Sequence, residues 1–160
     1  MIENWATGER IRILSTGAET GGRLLAFELQ LAPGGRVPAP HLHPEQEETF
    51  SVQEGQLRLR AGRRTRLLSP GEMVTVPRGV PHGFSNPGPG AALLLVEVRP
   101  ALRMEEALEA GTRLGQRPAP LALARYLAEF TAEVRSPLLP GLVSRAARLL
   151  ARLSPGPILP

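Results

Sequence analysis

Between Glu9 and Arg99 the chain never runs for long without a glycine or a proline, and its apolar stretches are short: "RIRIL", "RLLAFELQL", "ETFSV", "QLRLRA", "MVTVP" and "ALLLVEV". Alternating or continuous apolar runs of this length, bounded by turn formers, carry the period of strands and leave no room for a long helix. Their short, regular spacing predicts an all-β sandwich or barrel. After Pro100 the texture changes. "LRMEEALEAGTRL", "LALARYLAEFTAEV" and "GLVSRAARLLARL" are rich in Leu, Ala, Arg and Glu, with apolar residues three and four apart. They predict three helices, with Pro118, Pro120, Pro137 and Pro140 as breakers between them. The expected organisation is a β-barrel domain over residues 1–100 and a helical C-terminal extension over residues 101–160. A chain of 160 residues can hold one domain with such an appendage, but not two independent enzymes.

Three residue types are missing, and each absence removes a chemistry. Without Cys there is no thiol nucleophile, disulfide or thiolate metal site, and without Lys there is no Schiff base and no phosphate-loop lysine. Without Asp, only Glu could orient a Ser/His pair. Glu, His and the single Tyr126 remain for acid–base or ligand work. The net charge of +4 comes from 19 Arg against 15 Glu. A nucleic-acid surface clusters basic residues with aromatics, whereas these arginines are dispersed and few aromatics exist, so no nucleic-acid partner is expected. No apolar run approaches the ~18 residues of a membrane span. The start, "MIENWATGERIRIL", lacks a charged region followed by an apolar one, which makes a cytoplasmic location the expectation.

The chain has only three histidines. Two lie in "GGRVPAPHLHPEQEETFSVQEG", where Glu47 and Glu48 follow His41 and His43 closely. Residues two apart on a strand point the same way, so the two rings project together, and a carboxylate from the following strand can close on the same point. The third, His82, lies in a second Gly-rich segment, "GEMVTVPRGVPHGFSN". Two adjacent hairpins would bring three rings and a glutamate to one centre.

The spacing of these residues resembles the two motifs of the cupins. Gly35, His41-x-His43, Glu48 and Gly55, separated in turn by five, four and six residues, resemble the first motif. Gly71, Pro77-x-Gly79, His82 and Asn86, separated by five, two and three, resemble the second, and fifteen residues lie between Gly55 and Gly71. The resemblance implies a double-stranded β-helix, the jelly-roll barrel of the cupins, carrying one divalent transition metal held by His41, His43, Glu48 and His82. Three imidazoles and a carboxylate suit Mn, Fe, Co, Ni, Cu or Zn, and an octahedral ion would keep two adjacent positions open. The spacing to Gly55 favours Glu48 over Glu47, which, as its neighbour on a strand, is expected on the outer face. Gly35, Gly55, Gly71 and Gly79 are expected to supply unusual φ at turns, Pro77 to fix a strand exit, and Asn86 to bond the local turn. Phe50 and Val52 share the parity of Glu48, and Phe84 that of His82, so these side chains either line an apolar pocket or form plain barrel core.

Cupins with this ligand set often carry dioxygenases for small enolic or phenolic molecules. The resemblance therefore implies a metal-dependent dioxygenase or related oxidative enzyme acting on a small enolic or aromatic molecule. Glu48 would be its catalytic residue, both ligand and base, as in similar flavonol dioxygenases. One alternative is an isomerase or lyase in which the metal polarises a carbonyl and an inward-facing Glu28 or Glu97 moves a proton. Another is a non-enzymatic small-molecule binder. A transcriptional sensor would need a helix-turn-helix, which the "SPLLPG" break matches poorly. In the last predicted helix Leu142, Ala146, Leu149 and Leu153 form an apolar face, with Arg145, Arg148 and Arg152 on another, as expected of a helix packed on the barrel or on a partner subunit. Uncovered sheet edges and apolar helix faces predict a homodimer.

Overall fold

The computed structural model describes residues 2–4, 9–37, 40–114 and 119–137. Its strands are β1 (Ile2–Asn4), β2 (Glu9–Ser15), β3 (Leu25–Leu31), β4 (Glu47–Glu54), β5 (Leu57–Ala61), β6 (Arg64–Leu68), β7 (Met73–Val76), β8 (His82–Ser85) and β9 (Ala92–Arg99). Helices α1 (Met104–Leu114) and α2 (Pro120–Glu129) follow. The apolar alternation of each run sets which face it buries. In β9, Ala92, Leu94, Val96 and Val98 are buried while the residues between them are not, and in β4 Glu48, Phe50 and Val52 share the buried face. The strands form an antiparallel six-stranded sheet, β1-β2-β3-β9-β4-β7, and a three-stranded one, β6-β5-β8. Leu57, Leu59 and Leu68 of the smaller sheet join Leu29, Phe50 and Val96 of the larger in one core, the two-sheet jelly roll expected of the sequence.

Close packing leaves Gly55 no alternative. It has φ +74°, and a Cβ there would lie 2.7 Å from the Ala91 carbonyl oxygen. One turn expectation is corrected: Gly34, not Gly35, takes the positive φ. Gly35 is buried, and its carbonyl accepts the Asn86 N–H at 2.9 Å, so that position holds a backbone pairing rather than the turn's left-handed residue.

Helix α1 carries Glu105 and Glu106 in its first turn and Arg113 in its last, opposite in sign to the helix dipole at each end, and buries Met104 and Ala107. Helix α2 starts with Pro120, a residue suited to a first helical turn. It stops at Glu129, short of the expected Val134, because Phe130 leaves helical geometry (φ −105°, ψ 46°) and Arg135 pairs with Leu42 instead. The third expected helix, with its Leu142, Ala146, Leu149 and Leu153 face and its arginines, lies outside the described residues. Among the described residues no helix is long and apolar enough to cross a membrane.

Candidate metal centre

The pairing of β4 decides which glutamate enters the barrel. Glu48 lies opposite Val98 on one side and Val76 on the other, both buried, and is itself 7% exposed. Glu47, paired with Arg99, points the other way and is half-buried. His82 opens β8, and its backbone exchanges hydrogen bonds with His41: the His41 N–H donates to the His82 carbonyl at 2.9 Å and the His82 N–H to the His41 carbonyl at 2.8 Å. The Gly79 N–H donates to the His43 carbonyl at 2.8 Å and so ties the second motif's turn to the first motif. The backbone thus gathers His41, His43, Glu48 and His82, with one donor atom from each within 4.8 Å of the others. That is close to the ~4 to 4.6 Å span across an ion bound at ~2.0–2.3 Å.

Ring orientation suits the group to a cation. His43 Nδ1 lies 2.6 Å from the Glu133 carbonyl oxygen, and His82 Nδ1 lies 3.0 Å from that of Val80. A carbonyl only accepts, so each Nδ1 carries a proton, and each ring, when neutral, turns its Nε2 lone pair inward. There Glu48 Oε2 sits 3.2 Å from His43 Nε2 and 2.9 Å from His82 Nε2. Lone pairs facing a carboxylate oxygen are repulsive unless a proton or a metal ion lies between them, so these residues fit a divalent transition metal. In the metal-free protein the Glu48 charge favours a proton in that place on His43. Burial, the largest influence on His43, pushes its pKa down, but the Glu48 charge, their hydrogen bond and the Glu133 carbonyl outweigh it and raise the pKa. Burial pushes the Glu48 carboxyl up, yet His43 and His82 together hold it well below the usual carboxylate range.

A cavity of about 400 Å³ opens onto His41, His43 and Glu48. Phe27, Leu29 and Phe84 line it from the barrel, and Leu108, Leu123 and Tyr126 from the helices. Of the three side chains left between pocket and core, Phe84 lines the cavity, whereas Phe50 and Val52 are fully enclosed in the core, Phe50 with its ring 5.1 Å from that of Phe84. Burial, and then the Glu133 charge, push the Tyr126 phenol up to about 12, so it stays a neutral donor at ordinary pH. Asn86 behaves as expected: its Nδ2 donates to the carbonyls of Leu31, Ala32 and Gly90, and its Oδ1 accepts the Gly88 N–H. Glu28 and Glu97 do not meet the inward-facing condition set for them. Glu28 pairs with Arg12 and Glu97 with Arg99, both part-exposed on the outer side of the six-stranded sheet. Sequence reasoning left Tyr126 among the candidates for acid–base work without placing it, and it missed Glu133; both come from the extension. Being the chain's only tyrosine was the one available signal for Tyr126, and a backbone carbonyl offers none for Glu133.

Residues 27–98 match the family model of the cupin domain. Germin-like protein 1-1 from Oryza sativa subsp. japonica is 32% identical over 109 residues, 65% of this chain and 50% of the relative, so the chain spans about half the length of the curated relative it matches. The crystal structure of a Thermus thermophilus protein is 28% identical, with a TM-score of 0.54 over 61% of this chain and 89% of that one. A sugar phosphate isomerase from a cupin superfamily, from Silicibacter pomeroyi, is 28% identical, with a TM-score of 0.52 over 59% of this chain and 60% of that one. With the jelly roll in place and both motifs converging on one centre, residues 27–98 form a cupin domain.

Proposed function

We propose that the protein is a metal-dependent oxidative enzyme, a dioxygenase or a near relative of one, acting on a small enolic or aromatic molecule, with His41, His43, Glu48 and His82 as ligands of one divalent transition metal. The observation that carries this is the apolar cavity ending at the His/Glu group. A bound metal would supply Lewis-acid or redox chemistry at the positions its protein ligands leave free. The rest falls to the chain itself. Phe27, Phe84, Leu108 and Leu123 favour a flat apolar body and exclude water around it. Glu48 is the carboxylate of the group and lines the cavity, so it is the base to which an enolic or phenolic proton passes. Tyr126 lines the same cavity and can donate its phenolic proton to a substrate oxygen.

A second reading follows from the likeness to a sugar phosphate isomerase. A phosphate group calls for a cluster of cationic donors. Among the described residues lining the cavity the one arginine is Arg135, whose Nε already donates to the Thr131 carbonyl at 3.1 Å. With Glu28 and Glu97 turned outward, the oxidative reading ranks first. Oxygen uptake by metal-reconstituted protein against flavonols, β-diketones and catechols, with Glu48→Gln as control, tests it. Uptake with at least one panel member, lost in Glu48→Gln, is expected. Undiminished uptake in Glu48→Gln would remove Glu48 as the base, and tight binding of a panel member recovered unchanged, with no oxygen consumed, would make the protein a binder rather than an oxygenase.

A further inference from the structure

We propose that the C-terminal extension completes the metal centre: the Glu133 carbonyl fixes the His43 ring so that Nε2 is its ligating nitrogen, which makes Glu133 a positioning residue. This goes beyond the proposed ligand set and depends on it. The contact is short, 2.6 Å against the ~2.9–3.0 Å usual for N–H···O, and it spans ninety residues of sequence. It is also built from several sides. Leu42, between the two histidines of the first motif, exchanges backbone hydrogen bonds with Arg135, both at 2.9 Å. The strip His41–His43 thus pairs with His82 on one side and with the extension on the other.

Two further anchors hold the Glu133 carbonyl. The Glu133 and Val134 N–H groups both donate to the carbonyl of Phe130, itself buried at the end of α2, at 3.2 and 2.8 Å. The Glu133 side chain, 4% exposed, accepts the Arg103 N–H at 3.1 Å beside the start of α1. The contrast with His82 is informative. Its Nδ1 meets the carbonyl of Val80, only two residues away, so the second motif orients its own histidine. The first motif does not; His43 takes its orienting acceptor from outside the barrel. Outer partners of metal-bound histidines set ring orientation and ligand basicity, and their loss typically costs about 10- to 100-fold in metal affinity.

The experiment is zinc titration of the full chain, with long-range ¹H–¹⁵N correlation of the imidazoles, for the wild type, Glu133→Ala, Arg135→Pro and Glu133→Gln. Expected are an Nδ1–H signal for His43 in the zinc-loaded wild type and an affinity lowered by about tenfold or more in Glu133→Ala and Arg135→Pro. Glu133→Gln keeps the acceptor for the Arg103 N–H and should stay within about threefold of the wild type, a rescue that mere loss of bulk would not give. A His43 proton on Nε2 in place of Nδ1 in the zinc-loaded wild type would overturn the proposal even if the variants fail to fold. Unchanged affinity in both Glu133→Ala and Arg135→Pro would overturn it while leaving the metal centre standing. A wild type that binds no zinc or other divalent transition metal would instead overturn the metal centre, and a His43 Nδ1–H signal in the metal-free protein would then show that the orientation by Glu133 survives it.

Discussion

At the scale of single residues, the site turns on protonation. Glu48, with its lowered pKa, contributes stability that is present above its ordinary value of 4.5 and lost as pH falls through the lowered one. His43, with its raised pKa, contributes stability that is present below 6.5 and lost as pH rises through the raised one. The metal-free protein should therefore withstand urea best between about pH 4.5 and 6.5, and metal should remove the alkaline decline by taking the proton's place. Unfolding midpoints across pH, with and without metal, check this; an alkaline limb unaffected by metal would count against it. Because Tyr126 is the only tyrosine, absorbance at alkaline pH reads it alone, and its phenolate should form near 12 rather than 10. Its raised pKa adds stability that is present below 10 and lost as pH climbs toward 12. The three histidines and Glu48 were legible because ligand spacing is a side-chain pattern. The run "AFELQL" likewise already sets Glu28 opposite Phe27 and Leu29. The partner of His43 was not legible, since any residue type can offer a carbonyl.

At the scale of elements, legibility follows burial. Strands β2, β3, β4, β5, β7 and β9 coincide with the short apolar runs. Strand β6 was missed because "RTRLL" is exposed at every position except Leu68 and shows no alternation. Strand β8 was missed because four residues containing a glycine carry too little period to read. In "TAEV", the end of the second expected helix, the helical spacing lost to tertiary pairing with Leu42. Phe130 is the element's main anchor, 4% exposed, with the Arg103 guanidinium 5.0 Å from its ring centroid. Phe130→Ala should lower unfolding stability by about 3–5 kcal/mol. Leu121→Ala on the same extension, at a side chain 50% exposed, should stay within about 0.5 kcal/mol. Urea denaturation checks the contrast, and equal effects would mean that α2 is not held through Phe130.

At the scale of the whole molecule, the sheets enclose the centre while α1 and α2 wall the cavity that leads to it, so barrel and extension make one site. Two outer strands leave large apolar side chains in water: Leu67 on β6 is 52% exposed and Met73 on β7 is 65% exposed. Edges of this kind are covered by pairing, and light scattering at micromolar concentration should give twice the mass of one chain, falling to a monomer in Met73→Lys. A wild-type monomer would remove that expectation without touching the site. The centre itself is tested most directly by metal analysis of purified protein after reconstitution and removal of loosely bound ions. One transition-metal ion per chain should remain in the wild type and in Glu47→Ala, and it should be lost in His82→Ala and in Glu48→Ala. Retention in both of the latter, or loss in Glu47→Ala instead, would contradict a metal centre built from His41, His43, Glu48 and His82.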